Sequence, residues 1–251
     1  MVSAPQSPVL SILVPVYNEA RTLLGVLERL RRVGFQRPME IVVVDDGSTD
    51  GSRDLLRNLP DWDNVRVFFH EANGGKGCAV RTALSQAAGD VVVVQDADLE
   101  LDPDDLPSLL DPILRGETQV CYGSRFLEST AAFRRLPTFW ANKTLNALCN
   151  WLNGIRLTDM NTCYKMMTRD VALRLDIASR GFAMEPEITT KLARMGVTIR
   201  ELPVKYHPRP RSEGKKIVMA DFFRYVVALV RFRFGITSES APPCLSATRI
   251  R

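Results

Sequence analysis

Histidine is almost missing from this chain: among 251 residues only His70 and His207 carry an imidazole. None of the five cysteines, Cys78, Cys121, Cys149, Cys163 and Cys244, stands at Cys-x-x-Cys spacing. These absences exclude a zinc-site pattern, and the scattered cysteines read as reduced thiols of a cytosolic protein. No apolar run approaches the roughly 18 uninterrupted residues of a membrane-crossing helix. Met1 to Pro8 lacks the basic flank and apolar core of a signal peptide, which sets the expectation of a cytoplasmic location. The 33 basic and 29 acidic residues leave a net charge of +4, too small to imply nucleic acid, although basic residues outnumber acidic ones from residue 200 onward. No internal repeat or long low-complexity linker divides the chain.

What is present alternates strand and helix patterns in the manner of a mostly parallel α/β sheet. Strands are expected at Val9–Val14, Ile41–Val44, Val65–Phe69, Val91–Val94 and Gln119–Tyr122. Between the first two, Leu23, Leu27 and Leu30 recur at helical spacing over Glu19–Val33. A short helix carries Leu55, Leu56 and Leu59, and another runs through Ala79, Val80, Ala83, Leu84 and Ala87.

Directly after the four-valine strand stand Asp96 and Asp98, with Glu100 beyond. In an extended chain residues two apart point the same way, so three carboxylates can share one side at the strand's carboxyl end, where open α/β sheets hold ligands. Hard divalent cations want such oxygens, and an acidic solvated loop is the plain alternative. Pro15, Tyr17, Asn18 and Glu19 end the first strand with groups suited to a ribose or base edge. Asp45 and Asp46, before Gly47 and Ser48, end the second, where an aspartate can accept from a nucleobase N–H or ribose hydroxyls; an ordinary helix-capping turn explains them equally well. Gly74-Gly75-Lys76-Gly77 has the composition of a phosphate loop without the spacing of the nucleoside-triphosphate one; a flexible loop with one ammonium, that of Lys76, near a diphosphate and a plain helix entry explain it equally well.

In order and spacing, Pro15-Val16-Tyr17-Asn18-Glu19, Asp45-Asp46-Gly47-Ser48, Gly75-Lys76-Gly77 and Asp96-Ala97-Asp98-Leu99 resemble inverting glycosyltransferases of GT-A fold. Gly123-Ser124-Arg125, Asp159 to Lys165, Arg180-Gly181-Phe182, Glu185-Pro186-Glu187 and Pro203 to Lys215 narrow the resemblance to dolichol-phosphate mannose synthases and related polyprenyl-phosphate sugar transferases, over roughly residues 9 to 220. The resemblance implies a GT-A, Rossmann-like, mostly parallel sheet flanked by helices. It implies hexose transfer from a nucleotide-diphosphate sugar to a polyprenyl phosphate, the runner-up being a saccharide or other hydroxyl acceptor.

Carried over, the family pattern has Asp45 and its neighbours hold the nucleotide, and Asp98 with Asp96 bind Mg2+ or Mn2+ on the donor diphosphate. Glu100 stands where such synthases often show Gln and remains a possible metal ligand; Tyr164 replaces a common Phe. A metal ion offsets charge on the departing nucleotide. A phosphate acceptor is already anionic and needs orientation more than deprotonation. A hydroxyl acceptor would need a base, for which Asp159 is the candidate, with helix capping as its plain alternative. Arg125, Arg209, Arg211 and Lys215 suit an acceptor phosphate, or form a solvated basic loop.

Aromatic, aliphatic and basic residues mix in two segments: Phe133, Leu136, Phe139 and Trp140 with Arg134, Arg135 and Lys143, and Phe222 to Phe234 with Arg224, Arg231 and Arg233. The first reads more readily as core. The second suits an anionic membrane surface, so peripheral attachment at a cytoplasmic face, or a membrane protein partner, is expected. The resulting division is a catalytic domain over residues 1–216, an amphipathic helix over 217–235 and a disordered tail over 236–251. Three rival activities are weighed. A haloacid-dehalogenase phosphatase usually has Thr where Glu100 stands, a nucleotidyltransferase needs a Gly-rich opening after the first strand that is missing, and a nucleotide-sugar sensor would bind donor without transfer.

Overall fold

A computed structural model describes residues 9–134, 136–209, 219–236, 244 and 247–249. In chain order the elements are β1 (Leu10–Val16), α1 (Leu23–Arg32), β2 (Met39–Asp45), α2 (Ser52–Arg57), β3 (Val65–His70), α3 (Lys76–Gln86), β4 (Val91–Val94), α4 (Leu106–Leu114), β5 (Val120–Ser124), α5 (Ala131–Arg134), α6 (Pro137–Asn153), β6 (Lys165–Thr168), α7 (Arg169–Arg174), α8 (Met184–Arg194), β7 (Ile199–Pro203), α9 (Met219–Arg233) and β8 (Ala247–Arg249). They form one sheet in the order β7-β5-β6-β4-β1-β2-β3-β8. Neighbours pair in parallel except at β6, antiparallel to β4 and β5, and at β8, antiparallel to β3.

Both faces of the sheet are covered, which is why its central strands read as unbroken apolar runs. Along β1, Leu10, Ile12, Val14 and Val16 enter one core with α1 and α4, and Leu13 enters the other with α3 and α8. The α1 stripe Leu23, Val26, Leu27 and Leu30 is fully buried. Truncating one such leucine to alanine costs about 2–5 kcal/mol.

The five expected strands are present: Val91–Val94 has the expected bounds, and the other four differ by one or two residues at their ends. Three were not foreseen. Lys165-Met166-Met167-Thr168 opens on a buried lysine, Ile199–Pro203 carries Arg200 and Glu201, and neither shows the apolar run that marks β1 to β4. Of the tail expected to be disordered, residues 247–249 form β8 on the edge of β3, because an open strand edge offers unpaired N–H and C=O groups. Tail residues 237–243, 245, 246, 250 and 251 lie outside the described residues.

The two aromatic segments divide differently. Phe133 and Phe139 are buried with Phe126 against Tyr206, and Trp140 is exposed. Helix α9 lays Tyr225, Ala228, Leu229 and Phe232 inward against α6 and α8, while Phe223, Val227, Val230 and Phe234 face outward among arginines. No helix among the described residues is long and apolar enough to cross a membrane.

Candidate active site

Because β1, β2, β3 and β4 run parallel, their carboxyl ends lie on one side of the sheet, and a cavity of about 420 Å3 opens there. Tyr17 and Glu19 reach it from β1, Asp46 from β2, Lys76 from the start of α3, and Asp96, Asp98 and Glu100 from β4. Arg125 comes from β5, and Tyr206 and Arg209 from the segment after β7. Two turns have residues in the left-handed region: Asn18, at φ 54°, and Leu99, at φ 58°. Asparagine tolerates this conformation, but for leucine such strain costs on the order of 1–3 kcal/mol and marks a turn held by its surroundings. It sets Asp98 and Glu100 on either side of the bend.

The acidic cluster is bridged by Arg209. Its guanidinium lies 3.0 Å from Asp98 Oδ2 and 3.0 Å from Glu19 Oε2, and its backbone N–H donates to Glu100 Oε1 at 3.0 Å. Glu100 also accepts from the Tyr206 hydroxyl, so this carboxylate pins the segment carrying Arg209. Burial, with Asp96 and Glu100 nearby, pushes the Asp98 carboxyl up to about 6 despite Arg209. Carboxylate oxygens of this kind fit Mg2+ or Mn2+, whose charge would reverse that shift. Among the described residues no group of three or more His, Cys, Asp or Glu side chains is already gathered as a metal cage; Arg209 bridges Glu19 and Asp98 instead.

Lys76 faces this cluster, its ammonium 2.8 Å from Asp96 Oδ1 and 3.2 Å from Glu185 Oε1. Burial would lower its pKa, but Asp96 and Glu185 hold it well above the usual lysine value. Glu185 is itself paired with the buried Lys165. The glycine loop before Lys76 does not present its amides as a phosphate cradle. Gly74 and Gly75 donate to the two Asp46 oxygens at 2.9 and 2.7 Å, and Gly77 donates to the Arg180 carbonyl at 2.6 Å. The glycines serve close packing: a Cβ on Gly75 or Gly77 would collide with the carbonyls of Arg180 and Ser179.

On the other wall, Arg125 grips Asp159 through Nε at 2.7 Å and Nη2 at 2.8 Å, and its backbone N–H donates to the same carboxylate at 3.0 Å. Asp159 is only 1% exposed. Glu201 of β7 accepts from the N–H groups of Thr158 and Asp159, fixing the turn that presents it. Burial would depress the Arg125 guanidinium, but Asp159 raises it above its ordinary value. The guanidinium also lies 5.2 Å from the Tyr206 ring centre.

The structure therefore brings together Pro15, Tyr17, Glu19, Asp46, Lys76, Asp96, Asp98, Glu100, Arg125 and Arg209 around one cavity. Asp45 stands apart, fully buried, with Arg53 Nε at 2.8 Å and the Ser48 N–H at 3.3 Å on its carboxylate. Asp159 lies behind Arg125. Arg211 and Lys215 lie outside the described residues. Unforeseen are Asn161, whose buried Oδ1 has no hydrogen-bond partner among the described residues, and the Glu185–Lys165 pair. Both residues fall in segments that carried the resemblance, but nothing in the sequence indicated that they pair.

Residues 11–175 match the family described as Glycosyl transferase family 2. Glycosyltransferase AglJ of Haloferax volcanii is 31% identical over 82% of this chain, which spans 65% of that relative's length. The polyprenol monophosphomannose synthase of Mycolicibacterium smegmatis is 28% identical, with 81% of this chain and 79% of the relative covered. In fold, the chain resembles glucosyl-3-phosphoglycerate synthase of Mycobacterium tuberculosis, solved with Mn2+, UDP and glucosyl-3-phosphoglycerate. That likeness has a TM-score of 0.67 at 23% identity, over 92% of this chain and 82% of the other.

Proposed function

The chain belongs to glycosyl transferase family 2, and from that premise we propose that it is a glycosyltransferase that moves a hexose, with inversion, from a nucleotide-diphosphate sugar to a polyprenyl phosphate. One observation carries the choice of acceptor. Two half-buried arginines, Arg125 and Arg209, line the cavity, and among the described residues no histidine lines it. Asp159, the candidate base for a hydroxyl acceptor, is locked in a two-point pair with Arg125. Such a site orients an anionic oxygen and offers little to deprotonate an alcohol. The polyprenol monophosphomannose synthase, named for that acceptor class, supports the same reading.

In this reading Asp96, Asp98 and Glu100 would hold Mg2+ or Mn2+. That ion, when bound, supplies Lewis-acid compensation for charge on the departing nucleotide. The Mn2+ bound by the glucosyl-3-phosphoglycerate synthase accords with this choice. Pro15, Tyr17 and Glu19 border the nucleotide, and the Lys76 ammonium neutralises a diphosphate oxygen. Asp45 and Asp46 shape that pocket from behind, through Arg53 and the glycine turn. Arg125 and Arg209, with Arg211 and Lys215 after it, bind the acceptor phosphate and aim its oxygen at the glycosyl carbon.

The outward face of α9, with Phe223, Val227 and Phe234 beside Arg224, Arg231 and Arg233, suits the headgroup region of an anionic membrane, where such an acceptor resides. We place the enzyme peripherally on a cytoplasmic membrane face, alone or with a membrane protein partner. Incubation with Mn2+ or Mg2+, a panel of nucleotide sugars and a polyprenyl phosphate should yield a glycolipid detectable by mass. Transfer to free saccharides with the lipid phosphate ignored would overturn the assignment.

A further inference from the structure

His70 closes β3 and is completely buried; it does not itself line the cavity, and it reaches the cavity wall only through Asp46. Both of its ring nitrogens are engaged. Nδ1 lies 2.7 Å from Asp46 Oδ1, and Nε2 lies 2.9 Å from the Thr82 hydroxyl on α3. A carboxylate can only accept, so the Nδ1 proton points at Asp46. The same carboxylate takes the N–H groups of Gly74 and Gly75, the latter at φ 91°, and Lys76 follows at once. A continuous chain of short contacts thus runs from the imidazole through Asp46 to the turn that aims the Lys76 ammonium at Asp96. A second brace reinforces it, since Arg53 pairs with Asp45 and donates to the His70 carbonyl.

We propose that His70 is a positioning residue for the donor diphosphate, acting through Asp46 on the glycine turn and so on Lys76. The assignment rests on the donor-site reading above. A carboxylate that holds two successive backbone N–H groups fixes a turn only while its own rotamer is fixed, and the imidazole supplies that constraint. The competing role is packing alone, with His70 tying α3 to the sheet through Thr82.

The two nitrogens allow the roles to be separated. The amide of Asn can reach where Nδ1 stands, and that of Gln where Nε2 stands, so His70→Asn keeps the bond to Asp46 and His70→Gln keeps the bond to Thr82. Binding of UDP and of GDP, each with Mn2+, is measured by calorimetry on the full chain. With the nucleotide that wild type binds, His70→Gln should weaken affinity about tenfold and His70→Asn less than about threefold. In a Lys76→Ala background, His70→Gln should add no further loss, because the two act in series. Equal or tighter binding by His70→Gln than by His70→Asn, or undiminished loss in the Lys76→Ala background, would overturn the positioning role and leave the donor site standing. Failure of both nucleotides to bind wild type would take down the donor-site reading and this assignment together.

Discussion

Arg209 and Asp98 meet at 3.0 Å across the mouth of the cavity, so the arginine assigned to the acceptor touches the aspartate assigned to the metal ion. One guanidinium thus stands as counter-ion to the acidic cluster. Arg209→Ala should raise the KM for polyprenyl phosphate by at least about tenfold, the loss of a charge-assisted hydrogen bond, while donor affinity changes much less. Steady-state kinetics with each substrate varied in turn distinguishes the two. Unchanged acceptor dependence would remove Arg209 from that role.

Asp98 also predicts a pH dependence. Its carboxyl is pushed from 3.8 up to about 6 by burial and by Asp96 and Glu100, so the folded protein holds this proton more tightly than the unfolded chain. Stability therefore falls as pH rises from about 4 to about 6, by on the order of 2–3 kcal/mol, and stays lowered above that. Melting temperatures of wild type and Asp98→Asn should diverge across this window. Mn2+ should stabilise wild type more at pH 8 than at pH 5, and should not stabilise the variant.

Removing the Asp159 carboxylate should act chiefly through Arg125. Asp159→Asn leaves the Arg125 guanidinium short of its counter-charge, a loss of about 3–5 kcal/mol in comparable pairs. Acceptor KM should rise with it, and Arg125→Lys should show the same kinetic signature. Loss of turnover at unchanged stability and unchanged acceptor KM would instead restore Asp159 as a base.

The exposed face of α9 can be tested without disturbing the cavity. Phe223 and Phe234 are 67% and 66% exposed, so Phe223→Asp with Phe234→Asp should leave the melting temperature within a few degrees. Sedimentation with anionic vesicles should fall about tenfold or more, because two inserted rings are replaced by charges that such a surface repels. Equal recovery with vesicles would remove this face from membrane docking.

The sequence exposed those elements whose physics is local. Four consecutive valines identify β4, and the Leu23, Leu27, Leu30 spacing identifies α1, because burial on both faces or along one stripe leaves a period in the chain. The Asp96, Asp98, Glu100 group was legible because it is contiguous in sequence, although it lies in the turn after β4, where the bend at Leu99 and not strand alternation places the carboxylates. Non-local features left no such trace. Lys165 and Glu185 lie 20 residues apart, and Asp46 meets His70 across 24. Asp45 and Asp46 are adjacent, yet one faces Arg53 and the other a glycine turn, a difference made by α2 on one side and by β3 and the loop before α3 on the other. The Gly74 to Gly77 composition suggested a flexible loop or a helix entry, and only the packing against the Ser179 and Arg180 carbonyls and Asp46 reveals why glycines stand there.

The most direct measurement is a crystal of the chain soaked with Mn2+ and the sugar nucleotide it accepts, read by anomalous scattering. Manganese should lie on Asp98 and Asp96 against the diphosphate, with Lys76 beside the same phosphates and the Arg209 guanidinium withdrawn from Asp98. A nucleotide bound elsewhere, with Arg209 still on Asp98 and no manganese at the carboxylates, would contradict the proposed chemistry at its root.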